Sequence, residues 1–295
     1  MAVEPSIDRL DEEIAGLDAL DALRSEERPP RLPAIWAATW PKLLAVAGFL
    51  GVWQLIVWAG FWSEEALPGP GTAFSELWTI TQTSRFFDAL GTTMRRMFMG
   101  YGLAIIIGTV LGFAVYRSSV LRRGFGSFIT GVQSMPSVAW FPLTIAVFGI
   151  FSDWAILSVV ILGAAPSVAN GLLSGVDHIP PLLLRAGRIM GARGFASYRH
   201  VVLPAALPGF FAGLKQGWAF GWRSLMAGEL IAAIPGKVAV GSEMHFAQDL
   251  NNIAGVLAWM IVIFTLGVLV DIMFFGTIEK RIRQRRGLIE VEARA

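Results

Sequence analysis

The chain has 295 residues, of which 55% are hydrophobic and only 16% charged, and its mean hydropathy is +0.59. A soluble globular domain carries about 25% charged residues, so the deficit reads as a membrane protein, and the 11 Trp and 20 Phe suit a chain with two membrane interfaces to anchor. The absence of Cys excludes disulfides, thiolate metal sites and Cys nucleophiles, and a net charge of +2 says little until the charges are placed.

Residues 1–33 read as a cytoplasmic N-terminal tail. No basic stretch leads directly into an apolar run, so no signal peptide is expected. The segment is acidic, from Glu4 and Asp8 through Glu26 and Glu27. Ile7, Leu10, Ile14, Leu17 and Leu20 recur at helical spacing, which fits either a short amphipathic helix that docks on a partner or a solvated tail. Pro29, Pro30 and Pro33 break any helix there.

Crossing ~30 Å of hydrocarbon takes roughly 20 apolar residues, and residues 34–287 contain six such runs, followed by a short tail, 288–295. The first run, 43–62, is flanked by Trp36, Trp40, Trp58 and Trp62. The second, 97–116, carries Gly100, Gly102, Gly108 and Gly112, small residues that permit close helix contact. The third, 124–150, is interrupted by Pro136 and Pro142, and the fourth, fifth and sixth cover 154–175, 205–232 and 253–278. Arg and Lys decide the orientation. The N-tail, 117–123, 176–204 and the C-tail hold 17 of them, whereas the opposite segments hold only Arg85, Arg95, Arg96 and Lys237. Both termini are therefore expected in the cytoplasm. Arg95 and Arg96 either snorkel out from the start of the second run or show that its helix begins in the outer headgroup layer.

The stretch between the fourth and fifth runs reads VDHIPPLLLRAGRIMGARGFASYRHVVLPAALPGF, residues 176–210. Pro180 and Pro181 suit a helix start. The helix, 181–190, places Leu182, Ala186 and Ile189 on one face and Arg185 and Arg188 on another. Gly191 stops it where the chain must turn with positive φ. A second short helix, about 195–202, ends before Pro204. A short loop does not need an amphipathic helix–turn–helix unless something docks on it.

Here the sequence resembles the importer permeases of the ATP-binding-cassette (ABC) class. Their cytoplasmic loop has the pattern EAA, three residues, Gly, nine residues, I-x-L-P. This chain has Arg185-Ala186-Gly187, three residues, Gly191, nine residues, Val201-Val202-Leu203-Pro204, with Arg185 where Glu is usual and Gly187 where Ala is usual. The segments 67–74, 133–150 and 203–231 look like the nitrate/sulfonate/taurine branch of that class. The resemblance implies an all-α membrane protein of six transmembrane helices, the type I ABC importer permease fold, with a core of five spans and an outer first span. It implies that Arg185, Ala186, Gly187, Arg188, Gly191, Ala192, Leu203 and Pro204 form a coupling helix and its support, seated in a groove of the ATPase. It also implies the partners: a second permease copy in a homodimer, two ABC ATPase subunits that bind ATP and Mg, an extracytoplasmic substrate-binding protein, and the bilayer of a bacterial inner membrane. No nucleic acid is expected.

This chain is expected to hold no cofactor and to catalyse nothing by itself. Its one Gly-Lys pair, Gly236-Lys237, has Ile231 where a phosphate loop needs its first Gly and Val238 where it needs Ser or Thr. His178, His200 and His245 lack metal-ligand spacing. Charges inside spans are costly and usually functional. Lys215, ~12 Å into the fifth span at 1.5 Å per residue, reads as a snorkelling lysine. Arg223, ~24 Å in by the same measure, faces either the pathway, where guanidinium suits an oxyanion, or a structural partner such as Glu229. Asp271 reads as a bond to a neighbouring helix. Broken backbone at depth is tolerated where it is buried in protein or lines a cavity. Ser134, Pro136, Ser137, Trp140, Pro142, Trp222, Arg223 and Glu229 are thus the candidate translocation pathway, with a plain kink as the other reading of 134–142. The rival to an ATP-driven importer is an ion-coupled secondary transporter or channel. That class would not need the 181–204 element and usually shows paired mid-membrane acids, which this sequence lacks.

Overall fold

The computed structural model describes residues 31–285, and every regular element among them is helical. The calls on the N-terminal tail and on residues 288–295 lie outside the described residues. The chain divides into two compact units, Met1–Phe61 and Trp62–Ala295. The first contributes α1 (Arg31–Trp58), which continues through Pro41. Its stretch Thr39–Trp58 is long and apolar enough to cross a membrane, and none of it is buried. Leu44, Phe49 and Leu55 are all exposed, as on a helix whose solvent is lipid or another chain.

The second unit runs α2 (Pro70–Thr81), α3 (Ser84–Arg117), α4 (Ser119–Ser134), a 3₁₀ turn (Ser137–Trp140), α5 (Phe141–Phe148), α6 (Asp153–Asp177), α7 (Pro181–Ile189), α8 (Phe195–Ser197), α9 (Leu203–Ile231), α10 (Val240–Asp249), α11 (Ile253–Val270) and α12 (Thr277–Arg285). Caps set several of the starts. Thr83, Ser118, Ser152 and Asn252 each accept a backbone N–H of the first turn of α3, α4, α6 and α11, respectively. Pro70 opens α2 at a position where its missing N–H is harmless.

Among the described residues four helices are long and apolar enough to cross a membrane: Thr39–Trp58, Ser84–Arg117, Asp153–Asp177 and Ile253–Ile282. The other two expected runs differ from a plain span, each for a reason visible in its residues. In the third run, Met135 and Pro136 are extended, with ψ of 135° and 131°, so α4 ends at Ser134. Pro142 breaks nothing: it sits in the first turn of α5, where no N–H is required. The fifth run folds as the 29-residue α9, but Lys215, Gln216, Arg223 and Glu229 dilute its apolar character.

α3 begins 13 residues earlier than the apolar run suggested. At 1.5 Å per residue it is ~51 Å long, well beyond ~30 Å of hydrocarbon, so its first turns carry Arg85, Asp88, Arg95 and Arg96 past the apolar layer. α3 thus starts well before Arg95 and Arg96, as the second of the two readings of that pair requires. The joint before Pro204 also differs from expectation. The chain does not end a helix there; Tyr198–Val202 form a π turn that passes directly into α9. A wide turn gives the Pro204 ring room against the carbonyl four residues back, which a tight helix would not.

The core lies around α6, which packs against both α3 and α9. Met97 and Tyr101 of α3, Ile156 and Val160 of α6, and Trp218 and Leu225 of α9 are buried together. The Tyr101 hydroxyl, taken out of water, donates to the Leu214 carbonyl at 2.7 Å. Gly100, Gly108 and Gly112 do face α6 closely, whereas Gly102 faces open space.

Candidate functional site: the 181–203 element and a buried charge cluster

α7 is amphipathic, but the side that it presents to the rest of the chain is narrow. Gly187 is buried, and a Cβ added there would lie 2.7 Å from Val201 Cγ2. Gly at this position thus lets α7 sit directly on the π turn. Leu184 packs with the buried Ile179, Val202 and Ala206. On the apolar face formed by Leu182, Ala186 and Ile189, Ala186 is half-buried, and Leu182 and Ile189 are left uncovered, 74% and 87% exposed. Arg185 and Arg188 are exposed beside it and carry no ion pair among the described residues. Gly191 has φ +85°, the left-handed turn expected of it, and open space where a Cβ would stand. Gly191 N–H donates to the Arg188 carbonyl, and Ala192 N–H to the Gly187 carbonyl, so the turn closes the end of α7. Leu203 is 65% exposed, and Pro204 opens α9.

The pathway candidates separate into two groups. Ser134 and Pro136 are exposed at the broken third run, and Ser137 in the turn accepts a hydrogen bond from Ser224 Oγ at 2.7 Å. Just before the break, Gln133 Nε2 donates to Ser167 Oγ at 3.0 Å, and Asn170 Nδ2 donates to Gln133 Oε1 at 2.8 Å. Those bonds tie α4 to α6. Trp140 packs partly on the core, and Pro142 is exposed. Arg223 is exposed, its guanidinium 5.1 Å from the Phe220 ring centroid, with no ion pair among the described residues. It is not bonded to Glu229.

Trp222 and Glu229 stand apart from the other pathway candidates by their burial. Trp222 is 8% exposed and stacks on Trp218, and Glu229 is 0% exposed, so neither lines an open lumen in this conformation. Glu229 belongs instead to a buried cluster at the end of the bundle opposite α7. Arg96 Nη1 donates to its Oε1 at 3.1 Å, and Thr93 Oγ1 and the Gly241 N–H donate to its Oε2 at 2.8 and 3.1 Å. Arg96 also donates from Nε and Nη2 to Asp153 Oδ1 at 3.0 and 2.7 Å, and Lys237 Nζ bonds the other oxygen of Asp153. The four charges cancel: Arg96 and Glu229 are the buried pair, for which neutrality matters most, and Asp153 and Lys237 reach solvent. Asp153 and Glu229 further sit at the N-termini of α6 and α10, where the backbone favours anions. The cluster joins α3, α6, α9 and the α10 start. Sequence reasoning missed it because no two of its four charges are i, i+3 or i, i+4 neighbours; the signal was that Arg96 and Glu229 each border or interrupt apolar runs without a local charged partner.

The expectation for Asp271 is met. Lys215 lies 3.5 Å from Asp271 and 3.6 Å from Glu279, so Asp271 does bond a neighbouring helix. Among the described residues no group of three His, Asp or Glu could hold a metal.

Residues 100–284 match the family described as the binding-protein-dependent transport system inner membrane component. The chain belongs to this family. The permease is 31% identical over 227 residues to the taurine transport system permease protein TauC of Escherichia coli, covering 75% of this chain and 82% of the relative. It is 26% identical over 225 residues to the nitrate import permease protein NrtB of Synechococcus elongatus, covering 73% and 77%. The fold matches a solved amino acid ABC transporter with a TM-score of 0.56 at 16% identity, covering 71% of this permease and 97% of that chain. These relatives occupy the branch read from the sequence, and the permease has their fold, that of type I ABC importers. It is a translocation subunit, not itself an enzyme.

Proposed function

We propose that the permease imports a small anion of the sulfonate, taurine or nitrate class by alternating access, driven by two separate ATPase subunits. A second permease copy and an extracytoplasmic binding protein complete the complex. The carrying observation is the uncovered apolar face of α7. An element held by Gly187 and closed by Gly191 keeps Leu182 and Ile189 exposed on a polar loop, which is the form of a helix seated in a partner's groove. The basic residues around it support a cytoplasmic position for this end. ATP-driven closure of the ATPases would push α7, and through the continuous π turn would tilt α9. At the far end, the Arg96 cluster binds α3, α6 and α9 so that they move as one body. ATP and Mg act on the partner subunits; this chain supplies the lever.

Ile189→Asp tests the lever. The side chain is 87% exposed, so the permease still folds. Loss of one seated apolar anchor in an interface costs at least ~1 kcal/mol. Hydrolysis stimulated by loaded binding protein, measured in lipid vesicles, is expected to fall by roughly tenfold. Unchanged stimulation would show that α7 does not couple.

Cargo selection is assigned to Arg223, beside Ser224 and the 134–142 turn, as the exposed cation that attracts an oxyanion. Arg223→Gln is expected to lower uptake of an anionic substrate by about tenfold, the effect of losing ~1.4 kcal/mol, with the melting temperature unchanged. The relatives' printed substrates, taurine and nitrate, form the uptake panel, with a neutral solute as control. Equal loss for the neutral solute would remove Arg223 from anion recognition.

A further inference from the structure

A second concave surface lies between the end of α3 and the α8–α9 joint. It encloses about 740 Å³ and is walled by Phe113, Phe195, Tyr198 and Leu203, with Arg117 and Arg199 at its polar edge. The walls are exposed in the chain, with Phe113 54% and Phe195 78% accessible. The shape is fixed locally. The Tyr116 and Tyr198 rings meet edge to face at 6.4 Å, holding the π turn against α3, and Gly194 turns the chain at φ +54°. Neither Arg117 nor Arg199 has an ion pair among the described residues. Asp177, the carboxylate that ends α6, is already taken by Arg122 at 2.5 Å.

We infer that this pocket binds one anionic phospholipid per permease copy, the phosphate between Arg117 and Arg199 and an acyl chain along the aromatic wall. Arg117 is the last residue of a 34-residue helix long and apolar enough to cross a membrane, so its guanidinium stands at the end of a candidate span, and Arg199 lines the same pocket. Two unpaired cations beside an aromatic wall at the end of a candidate span match the phosphate and acyl chain of an anionic lipid. The inference rests on α3 crossing the membrane and not on the proposed cargo or orientation.

The complex, purified in detergent with its ATPases, is incubated with phosphatidylglycerol or phosphatidylcholine, and retained lipid is counted by native mass spectrometry. Wild type is expected to keep one phosphatidylglycerol per permease copy and to release phosphatidylcholine. Arg117→Gln/Arg199→Gln, altered at two exposed side chains, is expected to retain roughly tenfold less, while Arg193→Gln, outside the pocket, retains it as wild type does. Equal retention of both lipids, or an undiminished level in the double variant, overturns the proposal. So does release by millimolar inorganic phosphate, which would make it a free-anion site. Retention by the permease alone that disappears when the ATPases are added also overturns it, since the pocket would then be a partner's seat.

Discussion

Arg96→Met will destabilise the folded permease by about 3 kcal/mol or more, the usual cost of removing one member of a buried charge pair. Arg96 is 5% exposed and is the only cation bonded to Glu229 among the described residues. Without it, Glu229 keeps Thr93 and the Gly241 N–H but no positive charge, at a fully buried position. Asp153 retains Lys237, so the loss concentrates on Glu229. The double variant Arg96→Met/Glu229→Gln removes both charges and leaves an amide oxygen to accept from Thr93 and Gly241. It is expected to be more stable than Arg96→Met alone. Thermal unfolding in a single detergent, followed by the fraction that stays monodisperse, reads both variants. If Arg96→Met unfolds as wild type does, the cluster is not what holds the ends of α3, α6 and α9.

Gly213→Leu will prevent α6 and α9 from seating, because the two backbones touch there. A Cβ on Gly213 would stand 2.5 Å from Gly171 Cα and 2.8 Å from the Ser167 carbonyl oxygen. Neither atom is the movable end of a side chain, so the helices themselves must part. Gly213→Ala alone is expected to cost about 1–3 kcal/mol, the usual range for overpacking, and Leu to leave little monodisperse protein. Gly102→Leu is the control: it lies in α3 with nothing within 4 Å of its Cβ, and its effect should stay within ~0.5 kcal/mol. Equal melting of Gly213→Leu and Gly102→Leu would show that the interface is looser than its geometry.

Much of the fold was legible because the bilayer imposes it locally. Every span must satisfy its own backbone, so length and apolarity alone located α1, α3, α6 and α11. The 181–203 element was legible for a related reason: Pro181 starts a helix, Gly191 ends it, and the apolar residues fall on one face, all within ten residues. Pro142 misled because the sequence says only that its N–H is missing, while its position relative to a helix start decides whether that matters. Met135 and Pro136 had already opened the chain, and Pro142 merely began α5.

What the sequence by itself determined, then, was the membrane class, the helix and glycine turn of the 181–203 element, and the family. The tertiary structure decided the roles of the charges. Arg223 and Glu229 stand six residues apart on one helix and look alike in the sequence, yet one is exposed beside Phe220 and the other is sealed against Arg96. It also decided that the free face of α7 is Leu182–Ile189 and that its seated side is Gly187 on Val201. The physical reason is range. Helix propensity, capping and apolar length act within a few turns of chain, whereas a charge inside a membrane protein is neutralised by a partner on another helix, and which partner it meets depends on how the helices pack.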